Sequence, residues 1–105
     1  MYREADQRIY LGAHKAMSSI EDISQNIRIF VIDNLLFGQG DSGLSNDDSF
    51  FEKGLIDSVG ILTLVEFTKE TYAISVEDAE IVPENWDSVH RIASFVQAKL
   101  VSRAL

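Results

Sequence analysis

Serine, aspartate and histidine are the residues of this chain whose types could do chemistry, and Ser58 has the most informative neighbours. It follows Asp57 directly, where a glycine-bearing loop runs into an apolar segment with helical spacing. Drawn with His90 and an aspartate, Ser58 could be made into a nucleophilic triad. A serine opening a helix in so small a domain lacks a substrate pocket, so hydrolysis is not expected and the chain is read as no enzyme. The two histidines, His14 and His90, are far apart in sequence, and a metal site would need carboxylates at no recognisable spacing. The string from Asp41 to Asp48 is rich in oxygen ligands but has Asn46 where a calcium loop needs its glycine. An acidic, solvated turn is expected there, and no metal. Cysteine is absent, which removes thiolate ligands, disulfides and a cysteine nucleophile together.

Ser58 needs elements to position it, and the hydrophobic pattern supplies helices. Ser18 and Ser19 precede Glu21 and Asp22, a combination suited to the positive end of a helix dipole. Ile20, Ile23, Ile27, Phe30, Val31 and Leu35 then recur at spacings of three and four, with Gly38 and Gly40 as the stop. Residues 38–57 show no sustained period and form a long loop, which Leu44, Phe50 and Phe51 are expected to tack onto the core. A second helix opens at Asp57-Ser58, where either side chain could cap it, and buries Ile61, Leu62, Leu64, Val65 and Phe67. Ser75-Val76-Glu77-Asp78 resembles a capping box for a short third helix that Pro83 must stop. Asp87 or Ser88 caps a last helix carrying Val89, Ile92, Ala93, Val96 and Leu100 on one face. No segment alternates with period two between hairpin turns, so the expected fold is all-α, a small four-helix bundle with a short third helix.

The composition bounds the function. One domain fits in 105 residues with 46% hydrophobic content, and two do not. Seventeen acids against nine bases give a net charge of −8, which disfavours nucleic acid and anionic membranes and favours basic protein partners. Residues 1–16 carry +1, leaving −9 on residues 17–105. The first sixteen residues are therefore expected to be a flexible extension or an appended segment, and 17–105 the domain. No apolar run reaches the ~18–20 residues of a membrane span, and the start lacks the apolar stretch of a signal peptide. A monomer in a reducing, cytoplasmic setting is the expectation.

The run Phe51-Glu52-Lys53-Gly54-Leu55-Ile56-Asp57-Ser58-Val59 resembles the signature of the acyl carrier and peptidyl carrier protein family. The resemblance covers residues 20–102 and extends to the order of long helix, long loop, serine-headed helix, short helix and last helix. It implies that Ser58 is the attachment point of 4′-phosphopantetheine, delivered from coenzyme A by a phosphopantetheinyl transferase with magnesium. By the same resemblance Asp57 helps present the serine to that transferase and its metal, and cargo is carried as a thioester. A helix start beside a loop suits this role physically, because its free N–H groups and dipole tolerate a phosphodiester. Val59 and Glu66 are expected on the exposed side of helix two as first contacts with partner enzymes. Leu62, Val65 and Ile92 are read as core, and Trp86 as packing the loop onto the last helix.

Fatty-acid carriers show Asp-Ser-Leu and an acidic second helix, whereas here Val59 is followed by Gly60 and a mildly charged face. That departure and Glu84-Asn85-Trp86-Asp87 look more like D-alanyl carriers and stand-alone carriers of aminoacyl or small acyl units, which implies loading by an adenylate-forming ligase. The competing reading is an unmodified acidic helical module that binds partners through its surface alone.

Overall fold

The computed structural model describes residues 19–36 and 43–104. The N-terminal extension, the Gly38–Gly40 stop, His14 and Asp41 lie outside the described residues. Within them the chain is all-helical and contains no strand. Its α-helices are α1 (Ile20–Asn34), α2 (Ser58–Tyr72), α3 (Pro83–Trp86) and α4 (Val89–Ala104), with a 3-10 turn at Asp78–Glu80. The all-α expectation with four helices, the third of them short, is met at that level.

Helix α1 starts where Ser19 Oγ accepts the Asp22 N–H at 3.1 Å, and Glu21 and Asp22 complement the helix dipole. Ile23, Ile27 and Val31 follow at four-residue steps and are fully buried. Burying side chains of this size is worth about 1.5–3 kcal/mol each, which outweighs the weak helix propensity of β-branched residues. The helix packs chiefly against α4, whose Val89, Ile92, Ala93 and Val96 are also fully buried. The last-helix stripe therefore lies where the spacing placed it, with Leu100 only half-buried.

Helix α2 contributes Leu64, Val65 and Tyr72 to the core, and Thr68 is buried because its Oγ1 donates to the Val65 carbonyl at 2.9 Å. Two contacts tie it to α1. Phe30 stacks on Phe67 with ring centroids 4.1 Å apart, and Asn26 Nδ2 donates to the Tyr72 hydroxyl at 3.1 Å. Leu62 departs from the expectation of a core residue, being 53% exposed. It lies three residues after Val59, on the side of the helix turned from the buried Leu64 and Thr68. The helix ends at Ala73 in the left-handed region (φ 54°), and the Arg103 guanidinium donates to the Tyr72 and Ala73 carbonyls there. An arginine on α4 thus satisfies carbonyls that a helix end would leave open.

The region after α2 differs from the sequence expectation in two ways. The capping residue is Glu77 rather than Ser75, with the Glu77 N–H donating to Glu80 Oε1 at 2.8 Å. The short helix ends at Glu80, before Pro83 as expected, but Pro83 also opens a further helix, α3, because at a first helical position its missing N–H costs nothing. The short third helix is accordingly split into the 3-10 turn and α3. The Glu80 carbonyl at the end of that turn accepts both Asn85 Nδ2 (2.9 Å) and Trp86 Nε1 (3.0 Å), which folds α3 back onto it.

Glu80 also holds Lys99 of α4, with Nζ 2.9 Å from Oε1. The N–H of Glu77 first, and Lys99 second, hold its carboxyl below its ordinary value of 4.5. A lowered carboxyl pKa means that the native state binds this proton less readily than the unfolded chain. Its contribution is complete above the unfolded value and disappears as pH falls through the folded one. The midpoint difference between wild type and Glu80→Gln in thermal melts should therefore be present at neutral pH and shrink in acid. A difference that grows on acidification would contradict this assignment.

Candidate functional site

Ser58 is the first residue of α2, and the aspartate before it is the cap. Asp57 is extended (φ −97°, ψ −173°), and its Oδ1 accepts the Gly60 N–H at 3.0 Å. Its carbonyl accepts the Ile61 N–H at 3.0 Å, closing the first turn. Of the two candidate caps, the longer carboxylate has taken the backbone donor, which leaves the Ser58 side chain exposed. Its hydroxyl makes no hydrogen bond to any of the described residues. His90, at the start of α4, is exposed and does not bond Ser58; its backbone N–H donates to the Asn46 carbonyl at 2.8 Å. The geometry therefore provides no triad. Among the described residues no group of three or more histidines, aspartates and glutamates could hold a metal ion.

Gly60 explains why the helix begins as it does. A Cβ at this buried position would stand 2.4 Å from Ile56 Cγ2, so the Ile56 side chain covers the first turn only because residue 60 has none. Two magnitudes compete in Gly60→Ala. Alanine gains about 1 kcal/mol of helix propensity, while overpacking against a β-branched side chain costs about 1–3 kcal/mol. We expect net destabilisation of about 1 kcal/mol in urea unfolding, relieved in Gly60→Ala/Ile56→Ala, where the two changes are not additive. A Gly60→Ala protein more stable than wild type would show that Ile56 moves aside freely.

The loop before Ser58 is held at several points. Leu44 and Phe50 are buried, as expected, but Phe51 is not tacked to the core: it is 83% exposed. The reason is Asp87, which precedes α4. Ser88 supplies the cap of that helix, accepting the Arg91 N–H on Oγ at 3.1 Å. Asp87 is left to hold the loop. Its carbonyl accepts the Phe50 N–H at 2.8 Å, its Oδ1 accepts the Phe51 N–H at 3.0 Å, and its Oδ2 accepts the Ser49 hydroxyl. A tight turn follows, closed by Leu55 N–H to the Phe50 carbonyl at 2.9 Å, with Gly54 at φ +63°. No atom crowds a Cβ at Gly54, so backbone conformation alone is what glycine supplies there. In the Asp41–Asp48 string, Asp48 Oδ2 accepts the Ser45 N–H at 2.8 Å, the expected acidic turn, with Lys53 Nζ 3.8 Å from the same carboxylate.

Val59 is 70% exposed, and Glu66 is exposed on the same helix with Lys69 Nζ 3.2 Å from its Oε2. The surface around Ser58 therefore presents Val59 and Leu62 in an apolar strip that leads to Glu66. Trp86 packs against the last helix, 2% exposed and 5.3 Å from the Phe95 ring on α4, and Val65 and Ile92 are core. A groove of about 640 Å³ runs beside α3 and α4, lined by Glu84, Arg91 and Phe95 among others, and Ser58 forms no part of it. The serine stands on open surface.

The role of Asp87 in holding residues 49–51 has no local signature in the sequence. Two adjacent candidate caps for one helix were the nearest signal, since one of them had to be doing something else. Among the described residues no helix is long and apolar enough to cross a membrane. The chain matches no protein-family model and no curated protein.

Proposed function

We propose that this chain is a carrier protein that holds acyl or aminoacyl cargo on a 4′-phosphopantetheine arm attached to Ser58. The observation that carries this reading is the placement of Ser58: a free, exposed hydroxyl at a capped helix start, on open surface, after an ordered loop. A nucleophile that works in its own protein needs a pocket, whereas one that is modified and then visits other enzymes needs to be reachable from outside. In the modification step the Ser58 hydroxyl loses its proton and forms a phosphodiester. The diphosphate of coenzyme A breaks, and adenosine 3′,5′-bisphosphate leaves. Asp57 keeps the first turn closed while this happens, and the α2 dipole and its remaining N–H groups favour the added phosphate. Phosphopantetheine supplies the thiol that a chain without cysteine lacks.

In this reading the protein is no enzyme and works as a monomer in a reducing, cytoplasmic setting, with cargo loaded by an adenylate-forming ligase. Val59 and Glu66 meet partner enzymes beside the arm, and tethering raises the effective concentration of cargo at each of them. The test is incubation with coenzyme A, magnesium and a broad-specificity transferase, followed by intact mass and peptide mapping. One phosphopantetheine on the peptide containing Ser58 is the expected result. A chain that stays unmodified with several transferases, yet forms salt-sensitive complexes, is instead the acidic interaction module.

A further inference from the structure

Asp87 makes three hydrogen bonds to residues 49–51 and none to its own helix start, which Ser88 caps. Ser49 Oγ, donating to that carboxylate, also accepts the Glu52 N–H at 3.0 Å, so the segment is fixed from both sides. With Phe50 buried and extensively bonded, the next side chain is turned outward, and Phe51 stands 83% exposed. A large aromatic displayed on a rigid segment loses little conformational freedom when a partner covers it, which is what binding anchors need. Six residues separate Phe51 from Ser58, with the Gly54 turn between them, so an enzyme acting on the serine works close to this ring. Residues 43–57 carry four acids against Lys53, which suits an apolar pocket rimmed by cationic groups.

We infer that Asp87 is a positioning residue for modification of Ser58, fixing residues 49–51 so that Phe51 serves as a contact for the modifying enzyme. This role rests on the carrier reading of Ser58. The experiment is steady-state transfer from coenzyme A by one purified transferase with magnesium, varying the concentration of the carrier chain. Asp87→Ala should raise KM for the chain about tenfold and leave kcat within about twofold, the pattern of lost binding that is uniform between ground and transition states. Asp87→Asn should stay within about threefold of wild type, because an amide can accept from Phe51 N–H and donate to Ser49 Oγ. Phe51→Ala should raise KM to a similar degree, and Asp87→Ala/Phe51→Ala should be no worse than the weaker single variant. Val96→Ala, a core truncation in α4 outside these contacts, controls for stability and should leave KM unchanged.

An Asp87→Ala KM within about twofold of wild type overturns the role. So does an equal rise in Val96→Ala, or single effects that multiply in the double variant. Wild-type chain that accepts phosphopantetheine while Asp87→Ala is unaffected defeats this role alone. Wild-type chain that accepts none defeats the carrier reading with it.

Discussion

Ser58→Ala is expected to remove phosphopantetheine acceptance completely while leaving the fold intact. The loss is total because no other hydroxyl stands at the start of α2: Thr63, the next along that helix, donates its Oγ1 to the Val59 carbonyl at 2.9 Å. The fold survives because the Ser58 hydroxyl makes no bond among the described residues and its side chain is exposed. Exposed substitutions of this kind change stability by about 0.5 kcal/mol or less. Intact mass after the transferase reaction reads the first effect, and urea unfolding by circular dichroism reads the second. Labelling that persists in Ser58→Ala would overturn the assignment. Asp57→Ala provides a contrast, since it keeps the hydroxyl but removes the cap, at about 0.5–2 kcal/mol.

Trp86→Ala is expected to have the largest effect on stability. The indole is 2% exposed, lies against Phe95, and donates Nε1–H to the Glu80 carbonyl at 3.0 Å. Truncating a buried aromatic of this size costs about 3–5 kcal/mol, against a total of about 5–15 kcal/mol for a domain. A protein of 105 residues loses a large share of its stability in one step. Trp86→Phe separates packing from hydrogen bonding. It retains most of the buried area and loses one bond to a carbonyl that still accepts Asn85 Nδ2 at 2.9 Å, so about 1 kcal/mol is expected. Both are measured by denaturant unfolding followed in the far ultraviolet, because the only tryptophan is the residue replaced. A cost below about 1.5 kcal/mol for Trp86→Ala would mean that α3 is not anchored through this ring. Because Asp87 is the next residue, loosening Trp86 should also loosen the Ser49–Phe51 segment.

The parts of the fold legible in the sequence were those decided by local rules. Three- and four-residue spacing placed α1, α2 and α4, since one apolar face at helical period has one way to be buried. The capping residues Ser19, Asp57 and Ser88 were each among the candidates, because helix ends leave N–H groups that short polar side chains satisfy. The readings that failed were decided by distant contacts. Phe51 is apolar and adjoins buried Phe50, yet Asp87 before α4 holds its backbone N–H so that the ring stays in water. Leu62 has the composition of a core residue, yet the packing of α1 and α4 leaves its side of α2 uncovered.

For the candidate site the same division holds. A serine after an aspartate, at the end of a glycine-bearing loop, was visible in the sequence, together with the acidity and lack of cysteine around it. Nothing local showed that Ile56 lies over the Cα of Gly60, or that Phe51 faces outward while Phe50 is buried. The second outcome depends on Asp87, thirty-six residues further along the chain from Phe51, whose carboxylate reaches back to the Phe51 N–H. By itself the sequence determined which residues could cap, bury or react, because those properties belong to the side chain and its nearest neighbours. Only the tertiary structure decided which backbone groups each polar side chain satisfies and which apolar side chains remain in water. The physical reason is that a buried donor or acceptor must find a partner at hydrogen-bond distance, wherever in the chain that partner comes from.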